Sequence, residues 1–238
     1  MINSLIPARG GSKGIPRKNI VDINGYPLIA YSIIACRKSH NIDRVIDSTE
    51  DDEIAEIALS FGAEVLSRPC EYALDTSGDV GFLRHFFDNY KDEEVALMRP
   101  TTPLRDIDFV DRSIQVYFEN SKDIDSLRTI NETSEIPYKV YKLENNLCTG
   151  FFKDFQGIKN YSNLPRQVFP TTYQANGHVD IIKKEIVLDN KTYGSKIYGM
   201  IGDKISDIDS PWDLEIARAQ EKQSEYMKKL LMRRTYDK

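Results

Sequence analysis

Four cations, Arg9, Lys13, Arg17 and Lys18, crowd into the run Ile6-Pro7-Ala8-Arg9-Gly10-Gly11-Ser12-Lys13-Gly14-Ile15-Pro16-Arg17-Lys18-Asn19. Glycines let backbone N–H groups come close to anionic oxygens, and the cations supply the neutralising charge. Residues 1–21 contain no Asp or Glu, although acids outnumber bases by 37 to 32 over the whole chain. A polyphosphate ligand accounts for that local imbalance, where a solvated glycine turn would not. Far downstream, Asp207 and Asp209 sit two apart. On an extended segment their carboxylates point the same way and can share a hard cation, although a lone Asp-Ile-Asp also suits an exposed turn or a helix cap. Asp213, two residues into a helix expected from Pro211, suits the first turn of that helix, where negative charge is favoured.

The loop matches neither common phosphate motif. GxxxxGK[ST] is absent, and Gly10, Gly11 and Gly14 do not give the GxGxxG spacing. Its position is the stronger signal, because it directly follows a β-rich run at residues 2–7. Helical apolar spacing follows over 27–39, then a strand over 44–48, a helix over 51–61, a strand over 63–66, a helix over 78–90 and a strand over 95–98. This alternation predicts an α/β fold with a mainly parallel sheet flanked by helices, whose ligands sit at the carboxyl ends of the strands. After a helix over 106–120 the rhythm breaks, and roughly 125–175 reads as an inserted β-rich arm. Strands at 178–183 and 196–201 and the helix from Pro211 close one domain spanning 1–238.

The chain has 238 residues, 40% hydrophobic and 29% charged, with a formal net charge of -5. That is the size of one globular domain, and the acidic balance argues against bulk nucleic acid as a partner. No apolar run approaches the roughly 20 residues of a membrane span, and the opening lacks a signal peptide's pattern, so a cytoplasmic location is expected. Cys36, Cys70 and Cys148 fit neither a disulfide framework nor a metal motif and are expected to be reduced and structural. His40, His85 and His178 lack zinc-site spacing; His178 is expected to have a structural or surface role. Lys228, Lys229, Arg233 and Arg234 read as a solvated helix face.

The opening loop resembles that of the acylneuraminate cytidylyltransferases, the CMP-sialic acid synthetases, which reads IPAR-x-GSKG-x-x-x-KN. The resemblance continues, in order, through Arg68-Pro69, Asp75-Thr76, Arg99-Pro100-Thr101-Thr102-Pro103-Leu104-Arg105, Pro165-Arg166-Gln167, Asn176-Gly177 and Asp207-Ile208-Asp209. It implies a Rossmann-like nucleotidyltransferase fold and a homodimer whose arm reaches the neighbouring subunit. It also implies transfer of CMP from CTP to the anomeric hydroxyl of a nine-carbon 2-keto sugar acid, a nonulosonic acid, with Mg2+.

By that resemblance Arg9 and Lys18 hold the β- and γ-phosphates, while Gly11, Ser12, Lys13 and Asn19 complete the nucleotide cradle. Arg68, Asp75 and Thr76 lie on the nucleotide side. Asp207 and Asp209 hold the metal, and Arg9, Lys18 and Asp209 form the catalytic set. Arg99, Thr101, Thr102, Lys139, Arg166, Gln174 and Asn176 face the sugar acid. Three departures stand out. Asp79 falls where some of these enzymes have serine, Arg99 replaces a glutamine before the Pro-Thr-Thr-Pro-Leu-Arg segment, and Gln174 stands where an arginine is common. The alternatives are a cytidylyltransferase for 3-deoxy-manno-octulosonate and a nucleotide or sugar sensor without turnover.

Overall fold

A computed structural model describes residues 1–233; Arg234, expected on the terminal helix face, lies outside the described residues. Strands β1 (Ile2–Pro7), β4 (Ile42–Thr49), β5 (Glu64–Ser67), β6 (Glu94–Leu97), β7 (Ser126–Glu132), β10 (Tyr173–Lys183) and β11 (Ile197–Ile201) form one sheet in the order β11-β7-β10-β6-β1-β4-β5. β5, β4, β1 and β6 run parallel; β10 is antiparallel to both β6 and β7, and β11 is parallel to β7. A mainly parallel α/β sheet is therefore what the alternation produces. A short hairpin, β2 (Asp22–Ile23) and β3 (Tyr26–Pro27), follows the opening loop, turning through Asn24 and Gly25 at positive φ.

Both faces of the sheet are covered, as a parallel sheet requires. Successive β1 side chains serve opposite layers. Ile6 packs with Ile33, Val110 and Ile114, from helices α1 (Leu28–Lys38) and α4 (Ile107–Asn120), in a layer that also holds Ala58 of α2 (Asp52–Ser60). Leu5 packs with Phe82 and Phe86 of α3 (Asp79–Asn89) and Val187 of α5 (Lys184–Leu188). Helix α1 is buried on nearly every side because α6 (Pro211–Ser224) and α7 (Tyr226–Met232) cover its outer surface through Leu214, Ala217, Met227 and Leu230. Ser210 and Asp213 form a capping box at the start of α6, which is the first-turn role expected of Asp213.

The segment outside the main sheet runs over 133–172, narrower than the 125–175 read from the sequence. Residues 126–132 and 173–175 pair with each other as β7 and β10, so the arm is rooted in the sheet on both sides. The arm carries a hairpin, β8 (Tyr141–Glu144) and β9 (Leu147–Gly150), turned by Asn145 and Asn146, both at positive φ as a tight hairpin turn requires. Ile136, Tyr161 and Phe169 give it a small core of its own, with Tyr138 stacked on Phe169. Cys36 is buried, but Cys70 and Cys148 are exposed, so a packing role holds for Cys36 alone. No helix among the described residues is long and apolar enough to cross a membrane.

Candidate active site

The opening loop leaves the carboxyl end of β1, and the loops after β4, β5 and β6 converge on it. Its shape is fixed by specific bonds. Asn19 Nδ2 donates to the Arg9 carbonyl at 2.8 Å and closes the loop on itself; the Gly10 amide donates to Glu50 Oε1 at 2.8 Å. A Cβ on Gly10 would lie 2.5 Å from the Asp51 carboxylate, and one on Gly14 would lie 2.5 Å from the Asp209 carbonyl oxygen. Glycine at both positions is thus demanded by close approach. Arg17 does not face a ligand: its guanidinium is held by Asp51 and by Glu53 in the first turn of α2. One of the four loop cations is consumed in attaching the loop to the next βα unit.

The other three remain at a cleft of about 390 Å³ or its rim. Arg9, Gly11, Ser12, Lys18, Asn19, Arg68, Asp75, Arg99, Thr101, Asp207 and Asp209 line it, together with Asp79 and Phe82. Asp75 bridges Arg9 at 3.1 Å and Lys13 at 2.8 Å, and the bond from Lys13 holds its carboxyl below the usual range. Lys18 Nζ donates to the Ile208 carbonyl and to Asp209 Oδ1, each at 3.0 Å. The amide of Ile208 donates to the Thr101 carbonyl at 2.8 Å, so the loop after β6 carries the Asp207–Asp209 segment. Burial raises the Asp207 pKa, and a hydrogen bond from the Thr101 side chain opposes that rise. Thr76 is exposed and does not line the cleft.

Arg68 is almost completely buried, with its guanidinium over the Phe82 ring and bonded to Ser48. Beneath it lies Asp47, fully buried on β4, with no hydrogen bond to either carboxylate oxygen; burial raises its pKa well above the usual value. Arg99 pairs with Asp79 at 2.5 Å on the wall of the same cleft. Arg105, also fully buried, ties this region together. Its Nε donates to the His178 carbonyl at 2.8 Å, its Nη1 to Ser32 at 2.8 Å, and its Nη2 to Thr102 at 2.5 Å and to the Arg99 carbonyl. Nothing in the sequence pattern singled out Asp47 or Glu50, and Arg105 entered only as the last residue of a matching segment, with no role assigned to it.

A second cleft meets the first at Asp207. Asn131, Gln174, Asn176, Lys204, Ser206 and Gln220 line it, with Ile205 and Ile216. Gln174 and Asn176 are there as expected. Thr102 is not: it is buried, and its hydroxyl donates to the Gly177 carbonyl at 2.9 Å, so it braces the loop instead of facing a ligand. Lys139 and Arg166 stand apart from both clefts, on the arm. Lys139 donates to the Ser162 carbonyl at 3.2 Å and Arg166 to the Thr133 carbonyl at 3.0 Å. His178 is buried edge-on to Phe109, and burial lowers its pKa to about 4, which excludes it from the cleft chemistry.

Asp207 and Asp209 offer only two carboxylates, and no group of three or more metal-binding side chains occurs among the described residues. Two carboxylates suit Mg2+, which completes its shell with water and substrate phosphate oxygens and does not need an all-protein cage. The donor set fits that ion.

The chain is 33% identical to an N-acylneuraminate cytidylyltransferase of Escherichia coli O18:K1:H7 over 91% of its own length, but 51% of that relative's. It spans about half the length of the N-acylneuraminate cytidylyltransferases it matches. It is 28% identical to a CMP-N,N'-diacetyllegionaminic acid synthase of Legionella pneumophila, covering 89% of this chain and 92% of the relative. A CMP:2-keto-3-deoxy-manno-octonic acid synthetase solved with CTP shares the fold, with a TM-score of 0.72 and 15% identity over 94% of this chain and 99% of that one. Residues 4–197, from the first strand through the phosphate-suited loop to the start of the last strand, match the cytidylyltransferase family, and the chain belongs to the cytidylyltransferases.

Proposed function

We propose that the protein transfers CMP from CTP to the anomeric hydroxyl of a nine-carbon 2-keto sugar acid. The observation that carries this reading is the pair of clefts joined at Asp207. One has a cationic, glycine-lined loop suited to a triphosphate; the other has neutral amides and one lysine, with the Asp207 and Asp213 carboxylates at its side, suited to a polyhydroxylated acid. In this reading the two substrates meet at the carboxylate that the clefts share.

In this reading the triphosphate enters the first cleft and displaces the Asp75 carboxylate from Arg9 and Lys13. Arg9 engages two phosphate oxygens through its forked guanidinium, and Lys18 adds a point charge beside it. Ser12, the Gly11 amide and Asn19 complete the cradle, with Arg68 at the nucleotide end. The anomeric hydroxyl gives its proton to the Asp209 carboxylate, its oxygen bonds to the α-phosphorus, the bond from that phosphorus to the β-bridging oxygen breaks, and the charge that develops on departing pyrophosphate is met by Arg9 and Lys18. Asp207 and Asp209 would hold Mg2+, which when bound orients the α-phosphate and neutralises it. Lys18 links this pair to the loop, so phosphate and metal positions are set by one contact network.

The protein acts as a homodimer in this reading. The arm over 133–172 exposes Tyr141, Leu143, Leu147, Phe151 and Val168, an apolar surface that a second copy would cover. Lys139 and Arg166, which stand apart from both clefts of their own chain, would then serve the partner's sugar site. Sedimentation of the full chain and of a variant lacking 137–165 measures this directly.

Pyrophosphate release from CTP with Mg2+ tests the reaction, using a panel of nine-carbon 2-keto acids and 3-deoxy-manno-octulosonate, with ATP, GTP and UTP as controls. CTP-dependent release with a nine-carbon acid is the expected result. Release with the eight-carbon acid alone would move the assignment to that substrate, and CTP binding without release from any acid would make the protein a sensor.

A further inference from the structure

Lys204 is the cation of the second cleft. Among the described residues no other basic side chain lines it, and Lys204 itself has no ion pair or side-chain hydrogen bond. In the first cleft, by contrast, Arg9 is paired with Asp75, Lys18 with Asp209 and Arg99 with Asp79. Asp203, the acid next to Lys204 in the chain, lines a separate hollow with Phe109 and Arg112. The backbone that presents Lys204 is fixed on both sides. The Asp203 carbonyl accepts from Asn176 Nδ2 at 3.1 Å and lies 3.3 Å from His178 Nε2, so β10 holds the residue before it. Ser206 Oγ donates to Gln220 Oε1 at 2.5 Å, which ties the residue two further on to α6. An exposed, unclaimed ammonium is thus carried on a pinned segment, at the wall of a ligand-sized cleft.

The rest of the lining says what that charge is for. Asp207 and Asp213 line the same cleft, so an acid entering it meets two like charges and needs a cation to offset them. Asp213 is turned toward the helix cap, where its carboxylate accepts from Ser210. Gln174 and Asn176 can hydrogen-bond hydroxyls but carry no charge. Lysine is a compact point charge on a flexible stem, and it meets a single carboxylate without the fixed fork of an arginine. The first cleft is lined by other cations and not by Lys204, so the contribution of Lys204 falls on the acid and not on the triphosphate.

Resting on the proposed cytidylyl transfer, we infer that Lys204 binds the carboxylate of the sugar acid, from the same chain that supplies the phosphate-suited loop. Lys139 and Arg166 of a second copy's arm then meet other groups of the acid. The test uses the full chain with CTP, Mg2+ and two forms of one nine-carbon 2-keto acid, the free acid and its C1 carboxamide, which differ in charge at that carbon alone. The wild type should favour the acid in kcat/KM by about ten- to a hundredfold, the scale of one charge-assisted hydrogen bond. Lys204→Gln should raise the KM for the acid by a similar factor, leave the KM for CTP unchanged, and bring acid and carboxamide to within about threefold of each other. Lys204→Arg keeps the charge and should keep most of the preference. An unchanged KM for the acid in Lys204→Gln overturns the assignment and passes the carboxylate to the arm cations; equal use of acid and carboxamide by the wild type also overturns it. Failure of the wild type with every acid would instead remove the transfer reaction on which the assignment rests.

Discussion

Arg99 and Asp79 form a forked ion pair on the wall of the cleft that holds the phosphate-suited loop, with Nη2 2.5 Å from one carboxylate oxygen and Nη1 3.4 Å from the other. Both residues are departures from the related sialate enzymes, 20 positions apart in sequence, and each neutralises the other. Burial, the largest influence, opposes the arginine's charge, but the hydrogen bond and the negative charge of Asp79, with Tyr193 and Asp180, together outweigh it and raise the pKa. Arg99 lines the cleft with Arg9 and Lys18, not the one with Gln174 and Asn176. The expected effect of Arg99→Gln is therefore on the nucleotide. An unpaired Asp79 carboxylate would repel the triphosphate, raising the KM for CTP by about tenfold, the size of roughly one lost charge contact. Arg99→Gln combined with Asp79→Ser should restore most of it. Steady-state kinetics with each substrate varied in turn decides the matter, and a change confined to the sugar acid's KM would return Arg99 to the acid.

Asp75 occupies the two cations that a triphosphate needs. Its bridges to Arg9 and Lys13 must open before phosphate oxygens can replace them, so part of the binding free energy is spent on a competing internal anion. Asp75→Asn weakens that competitor and should lower the Kd for CTP by about three- to tenfold, as expected when the binding-competent form becomes the major one. Calorimetric titration of CTP measures this. Weaker binding in the variant would mean that Asp75 itself contacts the nucleotide.

The parts of this site that were legible in the sequence are those made of local signals. Arg9, Lys18 and the glycines fall in one loop after one strand, and βα alternation fixes which end of the sheet that loop occupies. Contacts between distant positions were not legible. Arg17 has the same charge and the same loop as its neighbours, yet it belongs to Asp51 and Glu53. Thr102 was read as a ligand contact because it sits in the matching motif, whereas Arg105 draws it into the interior. The antiparallel placement of β10 between β6 and β7 likewise has no mark in the apolar pattern, since a strand buried on both faces reads the same in either direction.

Gly14 is the point where the phosphate-suited loop touches the carboxylate segment. A methyl group there would lie 2.5 Å from the Asp209 carbonyl oxygen, backbone against side chain, and one of the two must move. Lys18, bonded to Ile208 and Asp209, would move with it. A displacement near 1 Å at reacting groups costs about a hundredfold in rate. Gly14→Ala should accordingly lower kcat by roughly that factor, with a smaller loss of CTP affinity, because Lys18 is displaced while Arg9 keeps its place. Single-turnover rates set beside CTP titrations separate the two, and a loss confined to CTP affinity would show that the loop yields and the carboxylates do not.

Two buried groups give the stability of this fold opposing pH dependences. His178 has its pKa lowered by burial from 6.5 to about 4, so between those values the unfolded chain binds a proton that the folded one does not, and stability falls as pH decreases through that window. Asp47 has its pKa raised by burial well above 3.8, so its contribution is fully present below 3.8 and is lost as pH rises toward the folded value. In the wild type the two slopes have opposite signs above about pH 4. Asp47→Asn removes one of them, and unfolding free energy from urea titrations should then fall by up to about 3 kcal/mol on acidification across that range. His178→Asn removes the other and should reverse the sign of the remaining slope. Parallel pH profiles for both variants would show that neither group titrates as its burial requires.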